Sequence, residues 1–163
     1  MTKTKQKILL FLLLVFSLYC SLSIGRSWDE GYHLLLGKST FDYLFSFGRI
    51  NNDVFYGEFY SPIYWTLQYF ISKISLVKYQ IETIHLTNLI FSFATLFGIG
   101  KVCKELFNRK VSKIMFLILF FYPIFFGHMS FNASDMFLAF GHVWIFYSIL
   151  RYLKKQNIRD KAN

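Results

Sequence analysis

The sequence predicts an all-α polytopic membrane protein, with about four transmembrane helices and with interfacial helices in a long first outer loop. Hydrophobic residues form 55% and aromatic residues 21% of the 163 positions, and the mean hydropathy is +0.39. The apolar residues are gathered into runs that approach the length needed to cross a bilayer. The 21 Phe and 11 Tyr suit helices that face lipid and interface. We therefore treat residues 1–163 as one transmembrane domain.

The first span is predicted over about residues 8–24. Lys3, Lys5 and Lys7 precede this apolar run, as in a signal anchor or a signal peptide. The small residues near its end form only a weak cleavage pattern, so we expect the helix to be retained.

Three further spans are predicted over about residues 84–102, 111–127 and 136–152, and each approaches the roughly 20 residues that a bilayer core requires. Their orientation follows from the basic residues. Five Lys or Arg side chains lie in the segment 101–113 and five more lie in the C-terminal tail. Because cytoplasmic loops are enriched in such residues, we expect both termini to be cytoplasmic, in a multi-pass protein of the cytoplasmic (inner) membrane.

The outer loop is then residues 25–83, and its segment from Tyr60 to Val77 is apolar enough to suggest a fifth span. A fifth span would place the basic segment 101–113 outside. We therefore predict a juxtamembrane helix that lies in the interface, with its polar side toward water.

The formal net charge of +9 does not indicate nucleic acid, because the cations sit in short segments between apolar runs. Membrane lipids are the partners that this pattern predicts. Cys20 and Cys103 fall on opposite ends of the predicted topology, so no disulfide is expected, and no metal-binding cysteine spacing is present.

Two clusters of chemically reactive residues lie at the predicted outer face. Asp29, Glu30 and His33 follow the first apolar run, where ionisable groups indicate a functional site. The alternative is that the carboxylates start a solvated loop. The second cluster is the short loop from His128 to Asp135, before the fourth span. For Asp135, the alternative to a functional role is to cap the N-terminus of that span. Pro123 is expected to kink the third span.

Three features together resemble membrane glycosyltransferases of the GT-C class, especially the dolichyl-phosphate-mannose protein mannosyltransferases and the bacterial aminoarabinose transferases. The first is the pair Asp29-Glu30 after the first span, and the second is the stretch from Ser61 to Trp65, S-P-I-Y-W. The third is the stretch from Pro123 to Asp135, which looks like the bacterial pattern P-x-x-x-G-H-x-x-x-N-P-K-D. Ala133-Ser134 replaces the Pro-Lys of that pattern.

The resemblance implies transfer of a sugar from a polyprenyl-phosphate donor to a glycan, lipid or protein acceptor at the outer membrane surface. By resemblance, Asp29 accepts the proton of the acceptor, Glu30 is its neighbour and Asp135 positions acceptor or donor.

The substrate-binding candidates are the outer-face residues Arg26, His33, Glu58, His128 and Asn132. Arginine pairs well with a lipid phosphate, but a contact with lipid headgroups is the more common role of outer cations such as Arg26, Lys38 and Arg49. Glu58 lies near a family carboxylate, but its spacing to the following proline differs. The two histidines are candidate ligands of a divalent cation; hydrogen-bonded interfacial histidines are the alternative. The metal stays unassigned.

The resemblance covers the chain but only about the first third of the family's length. A fragment, a split gene with a separate C-terminal half and a degenerate copy are the alternatives. From another functional class, a non-catalytic four-span scaffold or transporter-like subunit is the rival hypothesis.

Overall fold

A computed structural model describes residues 3–50, 63–131 and 133–160 of the chain. The regular elements in these ranges are helices, and their bounds are α1 Lys3–Ser23, α2 Glu30–Phe45, α3 Ile63–Ile74, α4 Gln80–Leu106, α5 Arg109–Phe121, α6 Pro123–His128 and α7 Ala133–Asp160. A short 3-10 turn, Val77–Tyr79, precedes α4. The prediction of an all-α protein is confirmed over these residues.

Three helical segments in the described part are long and apolar enough to cross a membrane: Thr4–Ser23, Val77–Leu106 and Ser134–Gln156. They contain most of the first, second and fourth predicted spans. The chain is therefore a helical membrane protein, while the number of spans, the membrane and the orientation stay predictions.

The segment predicted as the third span is divided between α5 and α6. The chain leaves the helix at Tyr122, whose ψ of 116° is extended, and Pro123 is the first residue of α6. Proline disfavours helical geometry in the residue before it and lacks the N–H that would continue the hydrogen-bond ladder. Pro123 therefore ends one helix and starts another, where the sequence predicted a kink.

The chain divides into two compact units, Met1–Leu89 and Ile90–Asn163. In the first unit, α2 packs closely on α3. A Cβ atom at Gly37 would lie 2.3 Å from the carbonyl oxygen of Trp65, so only glycine permits this approach. Beside it, the rings of His33 and Trp65 stack with centroids 4.5 Å apart, and Phe41 contacts Tyr69 edge to face.

The second unit contains the rest of α4 with α5, α6 and α7, and its interior is rich in phenylalanine. Phe120, which is almost fully buried, contacts the rings of Phe93, Phe116 and Phe126. A Cβ atom at Gly98 would lie 2.6 Å from a methyl carbon of Val143 in α7. Small residues and aromatic packing thus hold these helices together, as is common within membranes.

α3 corrects one prediction. Gln68 and Ser72 are buried in the first unit, whereas Ile63 and Ile74 are more than two-thirds exposed. The polar side therefore faces the protein interior, and the expectation that it faces water was wrong. In a membrane setting, polar groups gain more from partners inside the protein than apolar groups gain from leaving lipid. Its 12 residues are shorter than a span.

Candidate functional site

The site is built around the connection between α1 and α2. Glu30 is the first residue of α2, and its Oε2 accepts a hydrogen bond from the backbone N–H of Ser27 at 2.8 Å. This hydrogen bond ties the connection to the first residue of α2. The hydroxyl of Ser27 donates to Oδ1 of Asp29 at 3.1 Å.

The two adjacent carboxylates have different environments. The side chain of Asp29 is 59% exposed, whereas that of Glu30 is 5% exposed. Successive residues at a helix start point in different directions, so one carboxylate faces out and the other faces the interior. Of the predicted pair, Asp29 is therefore the carboxylate open to an incoming substrate.

Glu30 is paired with a histidine that the sequence analysis did not select. His85, from the first third of α4, is fully buried, and its Nε2 lies 2.6 Å from Oε1 of Glu30. Its Nδ1 lies 3.2 Å from the backbone oxygen of Ser21 in α1. His85 thus joins α1, α2 and α4 at one buried point.

A second buried polar group lies in the same unit. The amide oxygen of Asn88 accepts hydrogen bonds from the hydroxyl of Tyr64 and from Nε2 of Gln68, the latter at 2.9 Å. Burial raises the pKa of Tyr64 above its usual range, and the Gln68 hydrogen bond opposes this only in part, so the hydroxyl stays protonated and donates. These bonds fix α3 against α4.

Two more predicted residues lie beside the carboxylates. Arg26 is exposed, and a Cβ atom at Gly31 would lie 2.1 Å from a terminal nitrogen of its guanidinium group, so this cation rests on the first turn of α2. His33 is one turn further along, with Nε2 3.9 Å from a carboxylate oxygen of Asp29, beyond hydrogen-bond distance. The structure therefore brings together Arg26, Asp29, Glu30 and His33.

The other predicted residues are in the second unit or outside the described residues. Asp135 is exposed and is the third residue of α7, which begins at Ala133. Asp135 therefore lies inside the first turn of the helix and is not its N-cap, as the alternative role had required. A carboxylate in the first turn still interacts favourably with the helix dipole. His128 ends α6 and its ring lies 5.4 Å from that of Phe131. Glu58 and Asn132 lie outside the described residues.

No group of three or more His, Cys, Asp and Glu side chains in the described ranges is arranged to hold a metal ion. The divalent cation stays a prediction.

A signal for His85 was present in the sequence. An ionisable side chain inside an apolar segment indicates a functional or paired group by default. His85 stands inside the predicted span 84–102, and Asn88 follows three residues later on the same helix face. What the sequence did not supply was the partner, which lies 55 residues earlier.

The chain matches no protein-family model, no curated protein and no solved structure.

Proposed function

We propose that the chain takes part in the transfer of a sugar from a polyprenyl-phosphate donor to an acceptor at the outer face of the membrane. The observation that best supports this is the contrast between the two adjacent carboxylates, since Asp29 is 59% exposed while Glu30 is 5% exposed and paired with His85. An exposed carboxylate on a rigidly held helix start suits a general base, which must reach its substrate from a fixed position.

In the proposed reaction, the acceptor hydroxyl gives its proton to Asp29 as its oxygen attacks the anomeric carbon. The bond from that carbon to the phosphate oxygen breaks, and its electron pair leaves with the lipid phosphate. Attack opposite the leaving group inverts the anomeric centre. Asp29 therefore has to lie on the acceptor side.

The departing phosphate needs positive charge, and among the proposed substrate-binding residues Arg26 is the cation beside Asp29 at the start of α2. Its guanidinium rests on the first turn of α2, where backbone N–H groups also favour an anion. A guanidinium group contacts two phosphate oxygens at once, which orients the leaving group as well as stabilising it. His33, beside Asp29, is proposed to contact the acceptor. Glu58, His128, Asn132 and Asp135 remain the further proposed substrate contacts.

The test is Asp29→Asn, because asparagine keeps the size of aspartate but does not accept the proton. Membranes of cells that produce the protein are given radiolabelled polyprenyl-phosphate hexoses and pentoses, and label is measured in glycan, lipid and protein fractions. We expect transfer to fall by about 10²- to 10⁴-fold, the usual contribution of a general base. Donor binding and membrane insertion should be unchanged.

The matched control is His142→Ala, which removes an exposed side chain of α7 and should leave transfer unchanged. If Asp29→Asn keeps at least half of the wild-type turnover, the base mechanism is wrong. If no donor supports transfer by the wild-type protein, either alone or co-produced with a separate C-terminal half, the non-catalytic scaffold replaces the enzyme.

A further inference from the structure

The hydrogen bonds of His85 fix where its protons must be. A backbone oxygen only accepts, so the contact between Nδ1 of His85 and the Ser21 oxygen at 3.2 Å requires a hydrogen on Nδ1. On the other side, Nε2 and Oε1 of Glu30 are 2.6 Å apart. A bare imidazole nitrogen and a carboxylate oxygen are both acceptors, so a second proton must lie between them.

The pair therefore holds one proton more than a neutral histidine and a carboxylate, and its net charge is zero. Both side chains are buried, at 0% and 5% exposure. Zero net charge is the state that a buried pair in a low-dielectric setting favours.

From this buried pair a chain of hydrogen bonds runs outward to Asp29. Glu30 accepts from His85 with one oxygen and from the Ser27 N–H with the other, at 2.8 Å. The Ser27 hydroxyl then donates to Asp29 at 3.1 Å. The exposed carboxylate is thus tied, through two residues, to the interior of the unit.

We infer that His85 is a positioning residue for Asp29, which holds the connection between α1 and α2 through Glu30 and Ser27 with one proton kept between His85 and Glu30. The effect of His85 on the position of Asp29 does not depend on the proposed function. The effect on turnover rests on the proposed function, so the experiments below measure the two separately.

The first experiment locates the protons in the unaltered chain. The full-length protein in lipid nanodiscs is labelled with 15N-histidine, and His85 is assigned by elimination with variants of His33, His128 and His142. We expect a hydrogen on Nδ1 and, between Nε2 and Oε1 of Glu30, a second proton that is far downfield and slow to exchange with water. In Glu30→Gln that second proton should be lost while the Nδ1 proton stays. Absence of such a proton in the unaltered chain, or a ring with no hydrogen on Nδ1, would overturn the inference.

The second experiment measures the geometry around Asp29. Spin labels are attached to Leu12→Cys and Trp28→Cys, both exposed positions of the first unit, after alanine replaces Cys20 and Cys103. Electron paramagnetic resonance should give a narrow distance distribution. His85→Ala and Glu30→Ala should broaden it, whereas Glu30→Gln should not. A glutamine amide donates to an unprotonated Nε2, and its oxygen still accepts from Ser27.

The third experiment measures transfer. His85→Ala should lower kcat by about 100-fold with a smaller change in KM, as expected when a reacting group is misplaced by about 1 Å. Glu30→Gln should retain most of the turnover, which a direct acid or base role of Glu30 would not allow. The double variant Glu30→Ala/His85→Ala should be no worse than either single variant, since both act through one link.

The outcomes separate the two proposals. An unchanged distance distribution in inserted His85→Ala contradicts the positioning role, whatever the assay shows. If that variant does not fold, the proton assignment in the unaltered chain and the Glu30→Gln distances decide. Absence of transfer by the wild-type protein, also when a separate C-terminal half is present, would contradict the proposed function. The expected protons and distances would still support the positioning role of His85.

Discussion

The two units of the chain bury different kinds of side chain. Among the described residues, the first unit buries four ionisable or amide groups in addition to serine and threonine hydroxyls: Glu30, Gln68, His85 and Asn88. In the described part of the second unit, the buried polar side chains are hydroxyls only: Ser92, Thr95 and Ser130. Hydroxyls fit easily into a membrane interior because they can bond to nearby backbone oxygens, as Thr95 does to Phe91 at 2.9 Å.

This contrast indicates which of the two units is the better candidate for a functional site. Burying ionisable groups within a membrane protein lowers stability unless they are paired, so such groups persist where they serve a purpose. An interior of phenylalanine needs no such explanation. The first unit is therefore the better candidate for function and the second for structural support.

The largest effect is expected for Glu30→Ala, which leaves His85 buried without its partner. Breaking a buried pair on one side should lower the free energy of unfolding by about 3–5 kcal/mol. Unfolding by sodium dodecyl sulfate in mixed micelles measures it. The control is the double variant Glu30→Leu/His85→Leu, which removes both charges and should unfold within about 1 kcal/mol of the wild type. Equal losses of unfolding free energy in the single and double variants would show that an unpaired buried charge is not the cause, and the contrast drawn between the two units would not hold.

A somewhat smaller loss is expected for Phe120→Ala in the second unit. The change should cost about 2–3 kcal/mol, less than the roughly 3–5 typical of soluble cores, because lipid is as apolar as the interior and only packing is lost. Turnover per folded molecule should stay at the wild-type level in the same membranes. A loss of turnover as large as that of Asp29→Asn would place function in the second unit as well.

Asn88→Leu tests the second polar group of the first unit and should have a moderate effect. It removes the acceptor of Tyr64 and Gln68. Interhelical hydrogen bonds in membranes average about 0.6 kcal/mol, so two lost bonds should cost about 1–2 kcal/mol in the same unfolding assay. Because the Glu30 and His85 contacts remain, kcat should fall much less than in His85→Ala. Equal losses of kcat would show that α3, too, positions Asp29.

Asp135→Asn has the smallest expected effect on stability, about 0.3–1 kcal/mol, from the lost charge in the first turn of α7. If Asp135 contacts substrate as proposed, KM should rise about tenfold or more, the equivalent of one hydrogen bond to a charged group. Initial rates over a range of donor and acceptor concentrations measure it. Unchanged kinetics would leave Asp135 a helix-end residue and keep function within the first unit.

The long apolar helices could be predicted from the sequence because their signal is local. The predicted spans 84–102 and 136–152 lie inside α4 and α7, and 8–24 overlaps α1 almost completely. The break at Tyr122–Pro123 was underestimated. A proline permits either a kink or a new helix, and the choice depends on packing that a sequence pattern does not contain.

The site was predicted only in part. Asp29 and Glu30 were found because they are adjacent, yet nothing in the sequence distinguishes which of the two is buried. The two carboxylates differ in exposure because Glu30 pairs with His85, which is 55 residues away in the sequence. The prediction that the polar side of α3 faces water was wrong for the same reason, because Gln68 points inward and bonds to Asn88 on α4.

The inward polar side of α3 also constrains how the protein is made. A ribosome completes α3 before it synthesises α4, and Asn88 follows Tyr64 by 24 residues and Gln68 by 20. Until Asn88 has left the ribosome, the polar side of α3 lacks this acceptor, while its other side is already apolar. The hydrogen bonds that fix α3 against α4 therefore form only after the start of α4 has emerged, so that the order of synthesis sets the order in which this part of the unit assembles.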